Sequence, residues 1–322
     1  MKFITGSDFL SLAAQTRHPF HGQYLAMYSS VYDAIIKDPV LMLVPVDDHM
    51  VHRGDGVFEA FKCVEGNIYN LGAHWARLER SAAAIDLKLP VPIPEMERIV
   101  VETIRAGGEK NCTIRLYVSR GPGSFDANPY DCPRSQLYVV VTRSARPFMA
   151  LHPEGASAAT SHFRPKDTFF AEVKSCNYLL NVLLKKEAVD RRVDFVLTFT
   201  DTGLLAEGAT ENAGIVSADG KLLFPRLEGI LRGTTMLRVA DLAHALVASG
   251  LLRGVAFQDV PLAAVRTARE ILIVGTTRDV VAVTKYDGKP VGDGKPGPVF
   301  RELARLLNED MLHNRAVLTP VF

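Results

Sequence analysis

Residues 57–71 read VFEAFKCVEGNIYNL, and this stretch indicates how the chain folds. Val57–Val64 and Asn67–Leu71 are rich in β-branched and aromatic residues. The dipeptide Glu65-Gly66 separates them, and two such runs around a two-residue turn with glycine are typical of a β-hairpin. The stretch therefore predicts two antiparallel strands joined by a tight turn.

Segments farther along the chain repeat the pattern of this hairpin. Ile215–Ala218 and Leu222–Phe224 flank a turn that contains Asp219-Gly220, and they predict a second hairpin. In Thr113–Val118 the apolar residues occupy alternate positions, as in a strand with one buried face. Because strands come in clusters and do not alternate strictly with helices, the fold class is predicted to be α+β.

Helices are indicated by apolar residues that recur with a period near 3.6 residues. Segments 96–104, 236–247 and 300–311 each carry such a stripe. Each stripe predicts a helix with one face buried in the core, and no chemistry is assigned to it.

A domain boundary is expected near residue 150. Residues 144–163 lack a strong period over most of their length and contain Pro147 and Pro153, which is typical of a linker. We therefore predict a small N-terminal α+β domain over residues 1–150 and a large C-terminal domain over residues 151–322.

Composition excludes several classes of protein. The chain has 322 residues, 48% of them hydrophobic, and a formal net charge of +1 without a basic block, so nucleic-acid binding is not expected. No stretch approaches the roughly 18 apolar residues of a membrane span, and no signal peptide is apparent, so a cytoplasmic protein is expected. The four cysteines lack CxxC spacing and an accompanying histidine cluster, so neither a metal site nor a disulfide framework is predicted.

Lys174 is the first candidate for chemistry. It ends the apolar stretch Phe169–Val173 and precedes a helix that is predicted to begin near Asn177. A lysine that is partly desolvated at such a strand-to-helix edge has a lowered pKa. A lowered pKa is what a lysine needs to form a Schiff base, although the placement alone is a weak signal because most lysines are solvated.

Glu207 and the segment Gly233-Thr234-Thr235 could serve the same ligand as Lys174. Glu207 lies at the end of a predicted short strand, where a carboxylate either projects into a cleft or caps a turn. The glycine and threonines precede a predicted helix, where they either bind a phosphate or form an ordinary N-cap. Pyridoxal 5′-phosphate (PLP) requires an amine, a partner for its ring nitrogen and a phosphate site. The sequence has a candidate for each.

The segments that carry these residues resemble the class IV (fold-type IV) aminotransferases. The matching motifs are HRGDGVFEAF, HWARLERS, VKSCNYL, AEGATEN, LRGTT and VGTTRD. The resemblance extends from about Ala26 to Thr284, and residues 26–58 are most similar to plant D-amino acid transaminases that also have aminodeoxychorismate lyase activity. The family implies a two-domain α+β fold like that of D-amino acid aminotransferase, with PLP between the domains and a homodimer as the usual assembly.

The motifs imply a role in PLP binding for each matching residue. Lys174 would form the Schiff base and act as the catalytic base, and Glu207 would bind the pyridine nitrogen. Arg77 would bind the phosphate group. The other positions implied to contact PLP are Leu231 behind the ring and Gly233, Thr234, Thr235 and Thr276 around the phosphate.

Substrate-binding residues are less well defined. Phe58-Glu59 resembles the VFE pattern of the transaminases, whereas the lyases tend to carry Asp or Thr in place of the glutamate. Bacterial D-amino acid transaminases bind the substrate carboxylate with an Arg-x-His pair in the loop after this strand, and residues 119–133 contain no such pair. The other candidates are Tyr117, with Arg115 on the same strand face, and Arg120, and either arginine could instead form a structural ion pair.

The resemblance therefore implies a PLP-dependent transaminase. It would move an amino group between a D-amino acid or a branched-chain amino acid and a 2-oxo acid, through Lys174. The alternative is a 4-amino-4-deoxychorismate lyase, which forms 4-aminobenzoate and pyruvate and would also use Lys174. A non-enzymatic PLP-binding protein is a third hypothesis. The sequence leaves the amino donor and its stereochemistry open.

Overall fold

The computed structural model describes all 322 residues, and the chain divides into two compact units. The first contains residues 1–144, 175–177 and 318–322, and the second contains residues 145–174 and 178–317. The main division falls at residue 144, whereas a single cut near residue 150 was expected. The tripeptide 175–177 belongs to the first unit because the Cys176 N–H donates to the Gly56 carbonyl oxygen at 2.8 Å.

A seven-stranded antiparallel sheet forms the centre of the first unit. Its strands are β1 (Tyr24–Ser29), β2 (Ala34–Ile36), β3 (Gly56–Val64), β4 (Asn67–Tyr69), β5 (Cys112–Ser119), β6 (Gln136–Arg143) and, from the end of the chain, β15 (Leu318–Pro320). The order across the sheet is β15-β4-β3-β5-β6-β1-β2.

Four α-helices accompany this sheet. They are α1 (Gly6–Ala14), α2 (His49–Arg53), α3 (Leu71–Ala84) and α4 (Ile93–Gly107). Helices α3 and α4 pack on one face of the sheet. The alternation predicted for β5 is confirmed, since Ile114, Leu116 and Val118 are fully buried.

The second unit contains a mixed sheet. Its strands are β7 (Ala156–Thr160), β8 (Phe195–Leu197), β9 (Asn212–Val216), β10 (Lys221–Phe224), β11 (Gly254–Phe257), β12 (Glu270–Gly275), β13 (Asp279–Tyr286) and β14 (Lys289–Pro290). Seven of them follow the order β11-β10-β9-β12-β13-β7-β8, and β14 pairs with β13. The β10–β11, β13–β7 and β7–β8 pairs are parallel and the others are antiparallel.

Seven α-helices belong to the second unit. They are α5 (Phe148–Leu151), α6 (Thr168–Glu172), α7 (Leu179–Asp190), α8 (Thr234–Leu242), α9 (His244–Ala248), α10 (Leu262–Arg266) and α11 (Pro298–His313). The stripe over residues 236–247, which predicts one helix, is instead divided between α8 and α9, which meet at Ala243. No helix of the structure combines the length and the apolar character needed to cross a membrane.

Both predicted hairpins are confirmed. Strands β3 and β4 pair around Glu65 and Gly66, whose φ angles of 47° and 81° are those of a tight hairpin turn. Strands β9 and β10 are likewise antiparallel neighbours, joined by the turn that contains Asp219-Gly220.

Glu270 connects α11 to the sheet of the second unit. Its buried carboxylate accepts hydrogen bonds from the backbone N–H groups of Val299 (2.9 Å) and Phe300 (2.8 Å), in the first turn of α11. Farther along α11, Asp310 accepts a hydrogen bond from Arg238 of α8 at 2.8 Å. Through these contacts, helix α11 connects strand β12 to helix α8. Strand β12 ends just before residue 276, and α8 begins at residue 234.

We predict that Glu270→Ala lowers the free energy of unfolding by about 2–4 kcal/mol, because two N–H groups at a buried helix end lose their acceptor. Urea denaturation followed by circular dichroism measures the change. Glu302→Ala is the matched control, since Glu302 lies on α11 in an exposed ion pair with Arg305 and should cost less than about 1 kcal/mol. Equal losses in the two variants would contradict this account of α11.

Candidate active site

Lys174 and Glu207 line the same cavity, which lies within the second unit. They are far apart in the sequence, and the fold brings them together. Leu231, the position expected behind the cofactor ring, lines the cavity as well. The other polar residues of the wall include Lys166, Tyr178, Asn181, Thr210, Glu211 and Asn212.

Lys174 lies between two helices. The expectation of a strand before it is wrong, because Thr168–Glu172 forms α6, with the Asp167 side chain accepting from the Phe169 N–H at the helix start. The following helix, α7, begins at Leu179, two residues after Asn177, as expected. The inference of partial desolvation nevertheless agrees with the structure, in which Lys174 is 9% exposed.

Glu207 is held through both its backbone and its side chain. Its main-chain carbonyl oxygen accepts from the Thr198 N–H at 3.0 Å and from the Thr198 hydroxyl at 2.7 Å. Its carboxylate accepts from the Leu231 N–H at 3.2 Å. Burial raises the pKa of Glu207 to about 7, against the opposing effects of the Leu231 hydrogen bond and of the positive charges of Lys166 and Lys174. The carboxyl therefore titrates near neutral pH when no cation of a ligand faces it.

The expected phosphate-binding residues converge at the beginning of α8. Gly233 is the N-cap of this helix, and Thr234 and Thr235 are its first residues and are buried. The hydroxyls of Thr235 and Thr276 lie 3.2 Å apart. Residue 233 must be glycine because a Cβ there would lie 1.9 Å from the side-chain oxygen of Asn212.

This arrangement fits PLP in its chemistry. A buried amine and a partly buried carboxyl share one cavity, as the aldehyde and the ring nitrogen of PLP require. The N-terminus of α8 adds backbone N–H groups and the positive end of a helix dipole beside two hydroxyls, which suits a phosphate. The Asn212 amide donates to the Leu231 carbonyl oxygen at 2.9 Å and so fixes the segment between the carboxylate and the helix.

Arg77 and Glu59 form one buried cluster in the first unit. Arg77 donates from Nε and Nη2 to the two carboxylate oxygens of Glu59, both at 2.7 Å, and His74 Nδ1 lies 2.7 Å from Glu59 Oε2. Burial by itself would raise the pKa of Glu59, but the charge and hydrogen bonds of Arg77, with those of His74, outweigh it and hold that pKa well below its usual range. Arg77 stays our proposed phosphate ligand, and the structure shows which residue orients it.

The five candidate substrate residues do not lie together. Phe58 and Tyr117 stack with their ring centroids 5.8 Å apart, on the face of the sheet opposite to Glu59. Arg115 shares that face with Tyr117, and its guanidinium contacts the Thr142 hydroxyl at 3.4 Å. We therefore place Glu59 apart from this group, since its carboxylate is fully buried against α3.

Arg120 forms a structural ion pair. It donates to both carboxylate oxygens of Asp55, at 3.0 and 3.1 Å, and to the carbonyl oxygens of Ile85 and Asp86, both at 2.8 Å. These four bonds engage its planar guanidinium in holding the surrounding loops. Arg120 therefore has a structural role, and Arg115 stays our candidate for the substrate carboxylate.

Sequence reasoning missed several residues of the cavity wall, and Tyr178 and Lys166 are two of them. Tyr178 was visible in the VKSCNYL motif, but nothing in its spacing distinguished it from a core aromatic. Lys166 lies in an irregular segment before α6, without a period or a motif, and its Nζ is 5.1 Å from the centroid of the Tyr178 ring. No sequence pattern pointed to a second amine in this cavity.

Comparison with known proteins assigns the family. The sequence model of the family described as "Amino-transferase class IV" matches residues 56–286. The chloroplastic D-amino-acid transaminase of Arabidopsis thaliana is 38% identical over 90% of this chain and 77% of its own length, and a putative branched-chain-amino-acid aminotransferase of Methanocaldococcus jannaschii is 32% identical over 81% and 88%. The crystal structure of the T.th. branched-chain amino acid aminotransferase with pyridoxamine 5′-phosphate matches 93% of this chain and 99% of its own, with a TM-score of 0.86 and 25% identity.

We predict that Glu59→Ala lowers the free energy of unfolding by about 3–5 kcal/mol, because it leaves the buried Arg77 charge without its partner. Chemical denaturation at neutral pH measures the loss. Glu79→Ala is the control, since Glu79 is exposed on the same helix as Arg77. In the wild type, the stabilisation by Glu59 should be complete above about pH 4.3, the usual pKa of glutamate, and should fall as the pH decreases further. A variant as stable as the control would refute the cluster's structural role.

Proposed function

This chain belongs to the class IV aminotransferases, and from that membership we propose that it is a PLP-dependent transaminase whose amino donors are D-amino acids. The observation that carries the proposal is the shared cavity of Lys174 and Glu207. The relatives and the solved structure described above are all named as transaminases, so the lyase alternative is not favoured. A homodimer remains part of the proposal.

Each of these residues would have a separate role in the reaction. Bound PLP supplies an electron sink for the α-carbon of the amino substrate. The Lys174 amine would attach the cofactor and, once the substrate displaces it, take the α-proton as general base and later return it. The Glu207 carboxylate would pair with the protonated ring nitrogen. Thr234, Thr235 and Thr276 would hold the phosphate, with Arg77.

The donor class rests on the relatives more than on the site. The Arabidopsis enzyme, which is named for D-amino acids, is the more similar of the two relatives and spans more of this chain. Branched-chain amino acids are the second candidate, because the solved structure with a TM-score of 0.86 is named for them. In either case we propose Arg115 for the substrate carboxylate and the Phe58–Tyr117 pair for the donor's side chain.

We predict that Lys174→Ala lowers turnover by roughly 10⁴-fold, since it removes both the attachment point and the general base. Borohydride reduction of the PLP-loaded protein, followed by peptide mass spectrometry, should find the cofactor on Lys174 in the wild type. Lys186→Ala, a change of an exposed lysine in α7, should leave both measurements unchanged. Reduced cofactor on a different lysine of the wild-type protein would refute the assignment.

A small panel of donors tests the proposed substrate class. We expect oxo-acid formation from D-alanine with 2-oxoglutarate as acceptor, and slower turnover of L-leucine and (R)-1-phenylethylamine. Faster turnover of L-leucine would select the branched-chain activity instead. Release of pyruvate from aminodeoxychorismate without any acceptor would overturn transamination and identify a lyase.

A further inference from the structure

A second lysine, Lys166, lines the cavity that contains Lys174 and Glu207. It is partly buried, and its Nζ lies 5.1 Å from the centroid of the Tyr178 ring, which also lines the cavity. A cation–π contact with the Tyr178 ring thus positions the Lys166 ammonium group in the cavity. Lys166 therefore has a defined position there, and the functions assigned so far do not use it.

The charged and titratable groups around Glu207 come from separate segments. Lys166 precedes α6, Lys174 follows it, Tyr178 precedes α7, and Glu211 precedes β9. Lys166 and Lys174 both favour the ionised form of Glu207, and Lys166 has the larger effect. Glu211 opposes ionisation of Glu207, but the Arg278 guanidinium lies 3.5 Å from the Glu211 carboxylate and offsets part of its charge.

The same relation is visible from the lysine. Burial lowers the pKa of Lys166, and the negative charge of Glu207 raises it again. Each group thus supports the charged form of the other in a cavity that disfavours both charges separately. The Tyr178 ring and the cavity wall fix where the ammonium group lies, so this support has a geometric basis.

Lys174 cannot replace Lys166 in this role. In the proposed function its amine is consumed when the cofactor attaches and is released again when substrate arrives, so its charge changes during the cycle. Lys166 undergoes no such reaction, so its charge does not change through attachment and release of the cofactor. Glu207 needs a positive neighbour whenever no ring nitrogen faces it, because an ionised carboxylate is costly to bury alone.

We propose that Lys166 is a positioning residue that holds the Glu207 carboxylate ionised and directed into the cavity, ready to pair with a protonated pyridine nitrogen. This inference rests on the proposed function for the identity of the ligand. The ionisation of Glu207 can be measured in the protein without that ligand. An ionised carboxylate accepts the N–H of a protonated ring at once, whereas a neutral carboxyl must first release its own proton to the solvent.

The inference is tested on the full-length protein without cofactor. Infrared difference spectra recorded through a pH titration detect the carbonyl band of a protonated carboxyl, and subtraction of a Glu207→Gln variant isolates the band of Glu207. In the wild type this group should titrate with a pKa of about 7. In Lys166→Met the midpoint should rise by about 1–3 pH units, the usual effect of losing a close opposite charge. Lys166→Arg should restore the wild-type midpoint.

Two further variants guard against indirect effects. Lys166→Gln keeps a polar side chain and should shift the midpoint as Lys166→Met does, so disturbed packing in one variant cannot decide the result. Lys186→Met removes an exposed lysine of α7 and should leave the titration unchanged. If neither the Met nor the Gln variant moves the Glu207 midpoint while both remain folded by circular dichroism, the inference is wrong.

Cofactor binding gives an independent readout. At a pH between the wild-type midpoint and the raised midpoint of the variant, Lys166→Met should release about one more proton than the wild type when PLP binds, because its Glu207 begins protonated. Calorimetry in buffers of different ionisation enthalpy counts these protons, and equal counts would overturn the inference. A failure of the proposed function looks different: PLP would not attach to Lys174 at all, while the titration of Glu207 in the cofactor-free protein could still depend on Lys166.

Discussion

The site of the second unit depends on one demanding interaction, the burial of the Glu207 carboxyl beside two amines. An ionised carboxylate in a desolvated cavity is unstable unless hydrogen bonds and opposite charges surround it. The fold supplies the Leu231 N–H and the charges of Lys166 and Lys174, and the pKa of Glu207 is consequently about 7, where it would otherwise be higher still. A group that titrates at this pH can be ionised under neutral conditions and yet responds strongly to any cation placed before it.

The surrounding backbone fixes the position of that carboxyl. Two hydrogen bonds from Thr198 hold the Glu207 carbonyl oxygen, and the Asn212 amide binds the Leu231 carbonyl oxygen. Asn212 also leaves no room for a Cβ at Gly233, the N-cap of α8. The carboxyl, the leucine and the start of α8 are therefore parts of one connected assembly on the sheet of the second unit. Such connection matters because a displacement of a reacting group by even an ångström is expensive in rate.

In the first unit, the alternation of side chains along a β-strand gives two adjacent residues, Phe58 and Glu59, different surroundings. Phe58 and Glu59 are adjacent in β3, and successive side chains of a strand point to opposite faces. Glu59 is buried against α3, where it orients Arg77 and His74. Phe58 lies on the other face, stacked on Tyr117. The glutamate of the VFE pattern is therefore buried and paired with Arg77, on the face of the strand opposite to Phe58.

The hairpins, the alternation of β5 and the family could be read from the sequence alone, because turns, strand alternation and the motifs around Lys174 and Glu207 each involve only a few neighbouring residues. Which side chains meet depends instead on contacts between distant segments, as does the helical form of residues 168–172 before Lys174. The pairing of Glu59 with Arg77 and the presence of Lys166 in the cavity join residues that no sequence spacing links. Electrostatic effects fall off with distance in space and depend on burial. Neither that distance nor the burial of a group can be derived from the order of residues alone. The charge state of Glu207 could therefore be understood only once the fold had placed its neighbours.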